Sequence, residues 1–145
     1  MNAPADPAFA QRCRESFARQ KAMALIGAAL TVVEPGYVEV ALPFRDDLTQ
    51  QKGFVHGGVI GMIADTACGY SAFSLMPAGG SLVTVEYKMN ILKPGRGALV
   101  ARGKVIRPGR TLTVARAEVY ADDGSHVATM LQTLMALPGT PDRPE

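Results

Sequence analysis

Apolar residues cover nearly every face of one segment near the middle of the chain. Between Gly58 and Met76 they occupy most positions that a helix of about five turns would present. A helix that is apolar all round is buried on all sides, so the rest of a small protein must wrap around it. Pro77 and the pair Gly79-Gly80 are expected to end this helix.

A long strand with alternating apolar and polar residues follows the helix. Its alternation predicts one buried face and one exposed face. Three further strands are predicted at 98–106, 111–121 and 126–137, because Pro-Gly and Asp-Gly turn signals separate them. Short connections favour antiparallel neighbours, so we expect these four strands to form a meander. The apolar positions of the first strand are Val83, Val85, Tyr87, Met89 and Ile91.

The N-terminal part of the chain predicts a helix followed by a β-hairpin. Residues 8–27 favour one helix, with Gly27 as its C-terminal cap. A β-branched run at 30–34 and a renewed strand pattern from residue 37 flank the turn pair Pro35-Gly36, which is typical of a hairpin. Residues 1–7 and 138–145 are expected to be flexible termini.

These elements predict a single α+β domain over residues 1–145. The length of 145 residues fits one domain, and an apolar content of 48% is enough for a core. Strands and helices do not alternate as they do in a doubly wound sheet. The economical arrangement is a curved antiparallel sheet wrapped around one long central helix.

Charge and cysteine content exclude several classes of function. The formal net charge is only +2 and is dispersed, so we expect no nucleic-acid partner. Cys13 and Cys68 form neither a disulfide framework nor a zinc pattern, and no metal is expected. Cys68 lies among small apolar residues and favours a core position, although a catalytic thiol is the alternative.

One apolar stretch, residues 22–33, resembles a signal peptide only superficially. It is too short to span a bilayer, and about twenty mostly polar residues precede it. We therefore expect a cytoplasmic protein without a membrane partner.

Asp65 is the anomaly of the central helix. It lies within the apolar run 62–68, where a carboxylate is almost never fully buried unless it has a partner. One interpretation is structural, with the carboxylate capping another backbone segment or bonded to a distant arginine. The other is a nucleophile or general base in a cleft.

The turn His56-Gly57-Gly58 begins the same helix. A helix N-terminus presents unpaired amide donors and a positive dipole end, and glycines allow close approach to the backbone. This combination suits an oxyanion or a polarised carbonyl, although an ordinary helix entry with a capping histidine is the alternative. Gly57 and Asp65 are separated by about 12 Å along one helix, so a small reacting centre cannot easily touch both. We therefore expect a homodimer in which each site takes one group from each chain.

Other candidates have weaker support from chemistry alone. Thr84, early in the first long strand, could orient a water, but an ordinary strand residue explains it as well. Four cations flank two turns and are candidates for contacts with phosphate groups, with solvated surface positions as the alternative: Lys93, Arg96, Arg107 and Arg110.

These motifs together resemble the hotdog-fold acyl-CoA thioesterases of the phenylacetate-pathway type. The resemblance extends over residues 25–137. It rests on Gly53-Phe54-Val55-His56-Gly57-Gly58, Ala64-Asp65-Thr66-Ala67, the strand from Thr84-Val85-Glu86 to Lys93-Pro94, and the turn at Gly109-Arg110.

The resemblance implies a role for each matching position. The Gly57 amide would polarise the thioester carbonyl, and Asp65 of the other subunit would be the nucleophile or the base for water. His56 would shape the site, and Thr84 would help to place water. Relatives often carry asparagine where this chain has Gln50. The implied substrate-binding residues are Gln50, Val55, Gly58, Lys93 and Arg110.

The resemblance also implies an acyl-CoA substrate and no further cofactor. The subunits would pair through their sheets into a homodimer, and two dimers would form a homotetramer. The expected reaction is hydrolysis of an aryl-, arylacetyl- or medium-chain acyl-CoA to the free acid and coenzyme A. Two alternatives are an acyl-thioester hydratase or dehydratase and a non-catalytic acyl-CoA binding protein.

Overall fold

The computed structural model describes residues 3–144. Within them, six strands form one antiparallel sheet in the order β1-β2-β4-β5-β6-β3. The helices are α1 (Phe9–Ala18), α2 (Lys21–Ile26) and α3 (Gly57–Phe73), with a short 3₁₀ turn at Asp46–Leu48. The strands are β1 (Ala29–Glu34), β2 (Tyr37–Leu42), β3 (Ser81–Ile91), β4 (Leu99–Arg107), β5 (Leu112–Ala121) and β6 (His126–Leu137).

The sheet wraps around α3 as the apolar pattern predicts. This helix contacts five of the six strands, β2 to β6, and most of its residues are buried. It lies very close to β4, where a Cβ atom added to Gly103 would be 2.2 Å from the carbonyl oxygen of Ala67. The hydrophobic core is therefore the layer between α3 and the inner face of the sheet. The expected hotdog architecture is confirmed.

The N-terminal region contains two helices, so the prediction of one continuous helix is wrong. Between α1 and α2, Gln20 adopts an extended conformation with φ −76° and ψ 96°. The break allows Cys13 of α1 and Met23 and Ile26 of α2 to reach the core from different directions. Gly27 caps α2 with a φ of 76°, a left-handed conformation that glycine adopts without strain.

The central helix ends at Phe73, earlier than the predicted Met76. Its C-cap is Ser74, whose buried hydroxyl donates to the Ser71 carbonyl at 2.7 Å and accepts from the Gly36 amide at 2.8 Å. These bonds satisfy the helix end and attach it to the turn between β1 and β2. The helix thus ends four residues before Pro77.

The predicted four-strand meander is wrong in one respect. Strand β3 pairs with β6 at the edge of the sheet, and only β4, β5 and β6 form a meander. The connection from β3 to β4 crosses to the far side of this meander, held by a bond from the Val55 amide to the Gly95 carbonyl at 2.9 Å. Tertiary contacts of the connection thus outweigh the preference for adjacent pairing.

A β-bulge at Val85 changes the face of β3. Thr84 pairs with buried Leu134, and Tyr87 pairs with buried Gln132. Thr84 and Tyr87 therefore both face the inner side of the sheet, although residues three apart normally face opposite sides. Val85 is the extra residue on β3 that makes this possible.

The bulge explains why the predicted buried face of β3 does not exist as one row. Val83 lies on the outer face, whereas Met89 and Ile91 follow Tyr87 on the inner face. Most of these apolar residues are exposed in the single chain, because β3 is an edge strand.

No helix within residues 3–144 has the length and hydropathy of a membrane span.

Candidate active site

Asp65 accepts two hydrogen bonds on a single oxygen. The Thr84 hydroxyl donates to Oδ1 at 2.8 Å, and the Gln132 amide nitrogen donates to the same atom at 2.5 Å. Gln132 Nε2 also donates to Thr84 Oγ1 at 2.7 Å, so the three side chains form a closed triangle. No arginine among residues 3–144 pairs with Asp65. The structural interpretation through a distant arginine is therefore wrong.

Asp65 is half-buried. The apolar residues around it in the sequence predict that it would be more deeply buried. Its side chain faces the gap between α3 and the edge strand β3, where Thr84 is exposed. This gap, together with the two donors, explains how a carboxylate is accommodated on an apolar helix. The other oxygen, Oδ2, accepts no bond from a residue within 3–144.

Sequence reasoning missed Gln132. It is fully buried on β6, between the inward-facing residues Met130 and Leu134. The alternation of β6 places Gln132 at an inward position, where a polar residue is unusual. That placement was the signal in the sequence. Its partner could not be deduced from the sequence, because the pairing depends on the register between β3 and β6.

A cavity of about 300 Å³ opens beside Asp65 and Thr84. It follows α3 past Gly69 to Tyr70 and Phe73, and its other walls come from α1, α2 and the C-terminal tail. The remaining lining residues are Ser16, Gln20, Ala22, Met23, Met62, Thr66, Leu82 and Asp142.

The far end of this cavity is a chain of hydrogen bonds between three side chains. The Ser16 hydroxyl donates to the Asp142 carboxylate and lies 2.9 Å from the Tyr70 hydroxyl. Arg19 adds an ion pair to Asp142 at 3.1 Å. Burial, opposed by the hydrogen bond with Ser16, raises the pKa of Tyr70 to about 12, so this hydroxyl stays protonated at neutral pH.

Cys68 is not suited to nucleophilic chemistry. It is fully buried on α3, and burial raises the pKa of its thiol well above the ordinary value. A buried thiol that stays protonated is a poor nucleophile. Its core position, favoured by the sequence, is confirmed.

His56 caps the N-terminus of α3. Its Nδ1 accepts a hydrogen bond from the Gly58 amide at 2.8 Å, so in the neutral ring the proton is on Nε2. The Gly57 amide donates to no other residue within 3–144. A Cβ atom at Gly57 would be 2.9 Å from Ile91 Cδ1, so a larger residue there would require the exposed Ile91 side chain to move.

A second cavity, of about 380 Å³, contains Gly57 together with Gln50, Val55 and Lys93. The Gln50 side-chain oxygen accepts from the Lys52 amide, which leaves the Gln50 NH₂ group as a donor.

Arg110 lies elsewhere, in a third and mostly apolar cavity at the other end of α3. The structure thus groups three of the predicted residues with Gly57, groups Asp65 with Thr84, and places Arg110 in a separate cavity. In one chain the Gly57 and Asp65 cavities are distinct, as their spacing on α3 predicts.

The fold and the site define a hotdog protein with a carboxylate on its central helix. Residues 52–128, just over half of the chain, match the model of the thioesterase superfamily. The chain belongs to this family, which confirms the expected resemblance at the level of the family.

Solved structures agree with this assignment. A thioesterase family protein from Silicibacter pomeroyi is 49% identical, with a TM-score of 0.87, over 90% of this chain and 99% of that one. The PaaI protein of the Escherichia coli phenylacetic acid degradation operon is 21% identical, with a TM-score of 0.84, over 91% of this chain and 95% of PaaI. The similarity to PaaI shows the fold alone.

Curated relatives match a shorter part of the chain. Candidate esterases of Halobacterium salinarum and Saccharolobus solfataricus are 29% identical over 89 residues and 34% identical over 75 residues. These matches cover 58% and 51% of this chain, and 59% and 53% of the two proteins. The chain thus spans little more than half the length of these curated relatives.

Proposed function

We propose that this protein hydrolyses an acyl-CoA thioester to a free acid and coenzyme A. The observation that carries the proposal is the Asp65 carboxylate, which two donors hold by one oxygen beside a cavity. Family membership supports the thioester as the bond that is broken. The phenylacetate-pathway type is the finer part of the proposal and is supported by the His56-Gly57-Gly58 and Asp65 motifs.

In the proposed reaction, Asp65 either attacks the thioester carbonyl carbon or removes a proton from the water that attacks it. The carbonyl oxygen gains negative charge and is stabilised by the Gly57 amide at the N-terminus of α3. Collapse breaks the carbon–sulfur bond, and the sulfur leaves with a proton as the thiol of coenzyme A. Water supplies the second oxygen of the free acid. Thr84 holds Asp65 and has a lone pair left to hold water.

The spacing of Gly57 and Asp65 supports a shared site between two subunits. Strand β3 has an unpaired outer edge beside large exposed apolar side chains, a combination that favours pairing with a second copy. An antiparallel copy of α3 across that edge would bring Gly57 of one chain towards Asp65 of the other. A homotetramer of two such dimers is the further assembly that we propose. The exposed apolar residues of β3 are Val83 (43% exposed), Val85 (54%), Tyr87 (47%) and Ile91 (48%).

The cavity beside Asp65 limits the acyl group that we propose. Met23, Met62 and Leu82 supply apolar wall, and about 300 Å³ accommodates an aryl, arylacetyl or medium-length acyl group. Lys93 lines the cavity that contains Gly57, which supports its proposed contact with coenzyme A phosphates. Arg110 lines a different cavity from Gly57 and Asp65 in one chain, so its proposed contact with substrate depends on the assembly. Both cysteines are free, which is consistent with the reducing cytoplasm.

A thiol-release assay across a panel of acyl-CoAs tests the activity. Asp65→Asn is expected to lower kcat at least a hundredfold with little change in melting temperature, because it removes the charge and keeps the shape. Asp47→Asn, at an exposed carboxylate in the 3₁₀ turn, is the matched control and should retain full activity. Near-normal turnover by Asp65→Asn would remove Asp65 from the mechanism.

The same assay separates the two rival functions. A hydratase would convert an enoyl-CoA to a hydrated product without releasing thiol. A binding protein would gain thermal stability with acyl-CoA and release no thiol from any substrate. Either result would overturn the proposal.

Tyr87→Glu tests the shared site. A charge on the exposed inner edge of β3 should produce a monomer that has lost activity but keeps its fold. The matched control is Ile106→Glu, which introduces the same charge at an equally exposed position on β4. Light scattering after size exclusion gives the mass, and an active monomer would contradict the shared site.

A further inference from the structure

Among residues 3–144, Gln132 is the one fully buried polar side chain that donates a hydrogen bond to the candidate carboxylate. The geometry points to a positioning role: Gln132 holds Asp65 by Oδ1, so that Oδ2 is the oxygen that reacts. This inference rests on the proposed function, because it concerns the way Asp65 is presented to a substrate.

Both amide hydrogens of Gln132 are used at the site. One is donated to Asp65 Oδ1 and the other to Thr84 Oγ1, at 2.5 and 2.7 Å. Thr84 donates to the same Oδ1. Because two donors from two different strands converge on one oxygen, rotation of the carboxylate would break both bonds together.

The carbonyl half of the Gln132 amide does not contribute to stability. Its carbonyl oxygen, Oε1, is buried and has no hydrogen-bond partner within residues 3–144. A buried acceptor without a partner is unfavourable, and an apolar side chain of the same shape would avoid it. The neighbouring inward positions of β6, Met130 and Leu134, are apolar. A polar residue here is therefore best explained by the contact that it makes with Asp65.

The arrangement assigns different tasks to the two oxygens of Asp65. Oδ1 is fixed by hydrogen bonds and is a weaker nucleophile and base because its lone pairs are engaged. Oδ2 accepts no bond from the described residues and is the atom available to the carbonyl carbon or to water. Gln132 acts through Asp65 and touches no reacting atom itself.

Gln132→Met tests the role, because methionine has a similar length and no donors. We expect kcat to fall at least tenfold, with KM changed less than threefold. The melting temperature should change little, because the loss of a donor to Asp65 is offset by removal of the unpaired Oε1. Gln132→Leu provides the same test if the methionine variant folds poorly. Thr133→Val, on the outer face of the same strand, is the matched control and should leave all three quantities unchanged.

A double-mutant comparison separates positioning from a general structural effect. If Gln132 acts through Asp65, adding Gln132→Met to Asp65→Asn should lower kcat no further. An unchanged kcat in Gln132→Met, parallel losses of kcat and melting temperature, or a further loss in the double variant would each overturn the inference.

A crystal structure of Gln132→Met gives a readout that does not depend on turnover. The Asp65 carboxylate should leave the position that it has in the wild-type protein, and an unmoved carboxylate would overturn the inference. Absence of thiol release by the wild-type protein would instead reject the proposed function. The crystal structure would still show whether Gln132 holds the Asp65 carboxylate in place.

Discussion

The imidazole of His56 has a structural task that can be measured separately from any chemical one. Its Nδ1 accepts from the Gly58 amide and satisfies one of the free donors at the start of α3. The same bond fixes the ring orientation beside Gly57, whose amide is left for another acceptor. The His56 side chain thus caps the helix and leaves the Gly57 amide, rather than the Gly58 amide, free to bind another acceptor.

Replacing His56 should therefore affect stability in a way that depends on capping ability. His56→Ala is expected to lower the free energy of unfolding by about 1 kcal/mol, because the cap of Gly58 is lost. His56→Asn should recover most of that loss, since asparagine is a good N-cap residue. Urea denaturation of the two variants measures the difference, and equal stabilities would show that the Nδ1 bond contributes little.

At the scale of the elements, local sequence patterns predict the helices and strands better than they predict which strands pair. The hairpin of β1 and β2, the strand β6 and the buried central helix follow from periodicity and turn residues. The edge position of β3 does not, because it depends on which neighbour the strand meets after the chain has crossed the sheet. The bulge at Val85 is equally invisible, yet it decides that Thr84 faces Asp65. The candidate carboxylate was thus predictable from the sequence, whereas its contact with Gln132 was not.

Two glycines that face different surroundings give opposite predictions for the same substitution. Gly103→Ala should lower the free energy of unfolding by about 2 kcal/mol or more, because the new Cβ atom would overlap the Ala67 carbonyl of α3. Gly69→Ala should raise it by about 0.5–1 kcal/mol, since nothing lies within 4 Å of the new atom and alanine favours a helix. Thermal and urea unfolding measure both, and a stable Gly103→Ala would mean that α3 shifts easily.

At the scale of the whole molecule, the cavity beside Asp65 is assembled from distant parts of the chain. Asp65 and Thr84 lie within the residues 52–128 that match the family. Ser16, Met23 and Asp142, which close the far side of the cavity, lie outside them. The ends of the chain therefore determine the length and polarity of the cavity that we propose for the acyl group.

Asp142→Ala is expected to change the choice of acyl group. Loss of the bonds to Ser16 and Arg19 opens the far end, so kcat/KM should rise for longer acyl-CoAs relative to short ones. Thr140→Ala is a control in the same tail at a residue that does not line the cavity. A thiol-release series of increasing acyl length measures the effect, and an unchanged profile would show that the tail does not limit the acyl group.

The α1–α2 segment and the tail meet over α3. Under the proposed function, the groups that cleave the bond and the groups that select the acyl chain therefore lie in different parts of the sequence. A chimaera that takes residues 1–27 and 138–145 from another homologue would keep the carboxylate, its donors and the glycine turn intact. Such an exchange is expected to transfer the donor's preference among acyl groups to a protein with this chain's chemistry. If the exchange transfers that preference, grafted ends would provide new specificities without redesign of the centre.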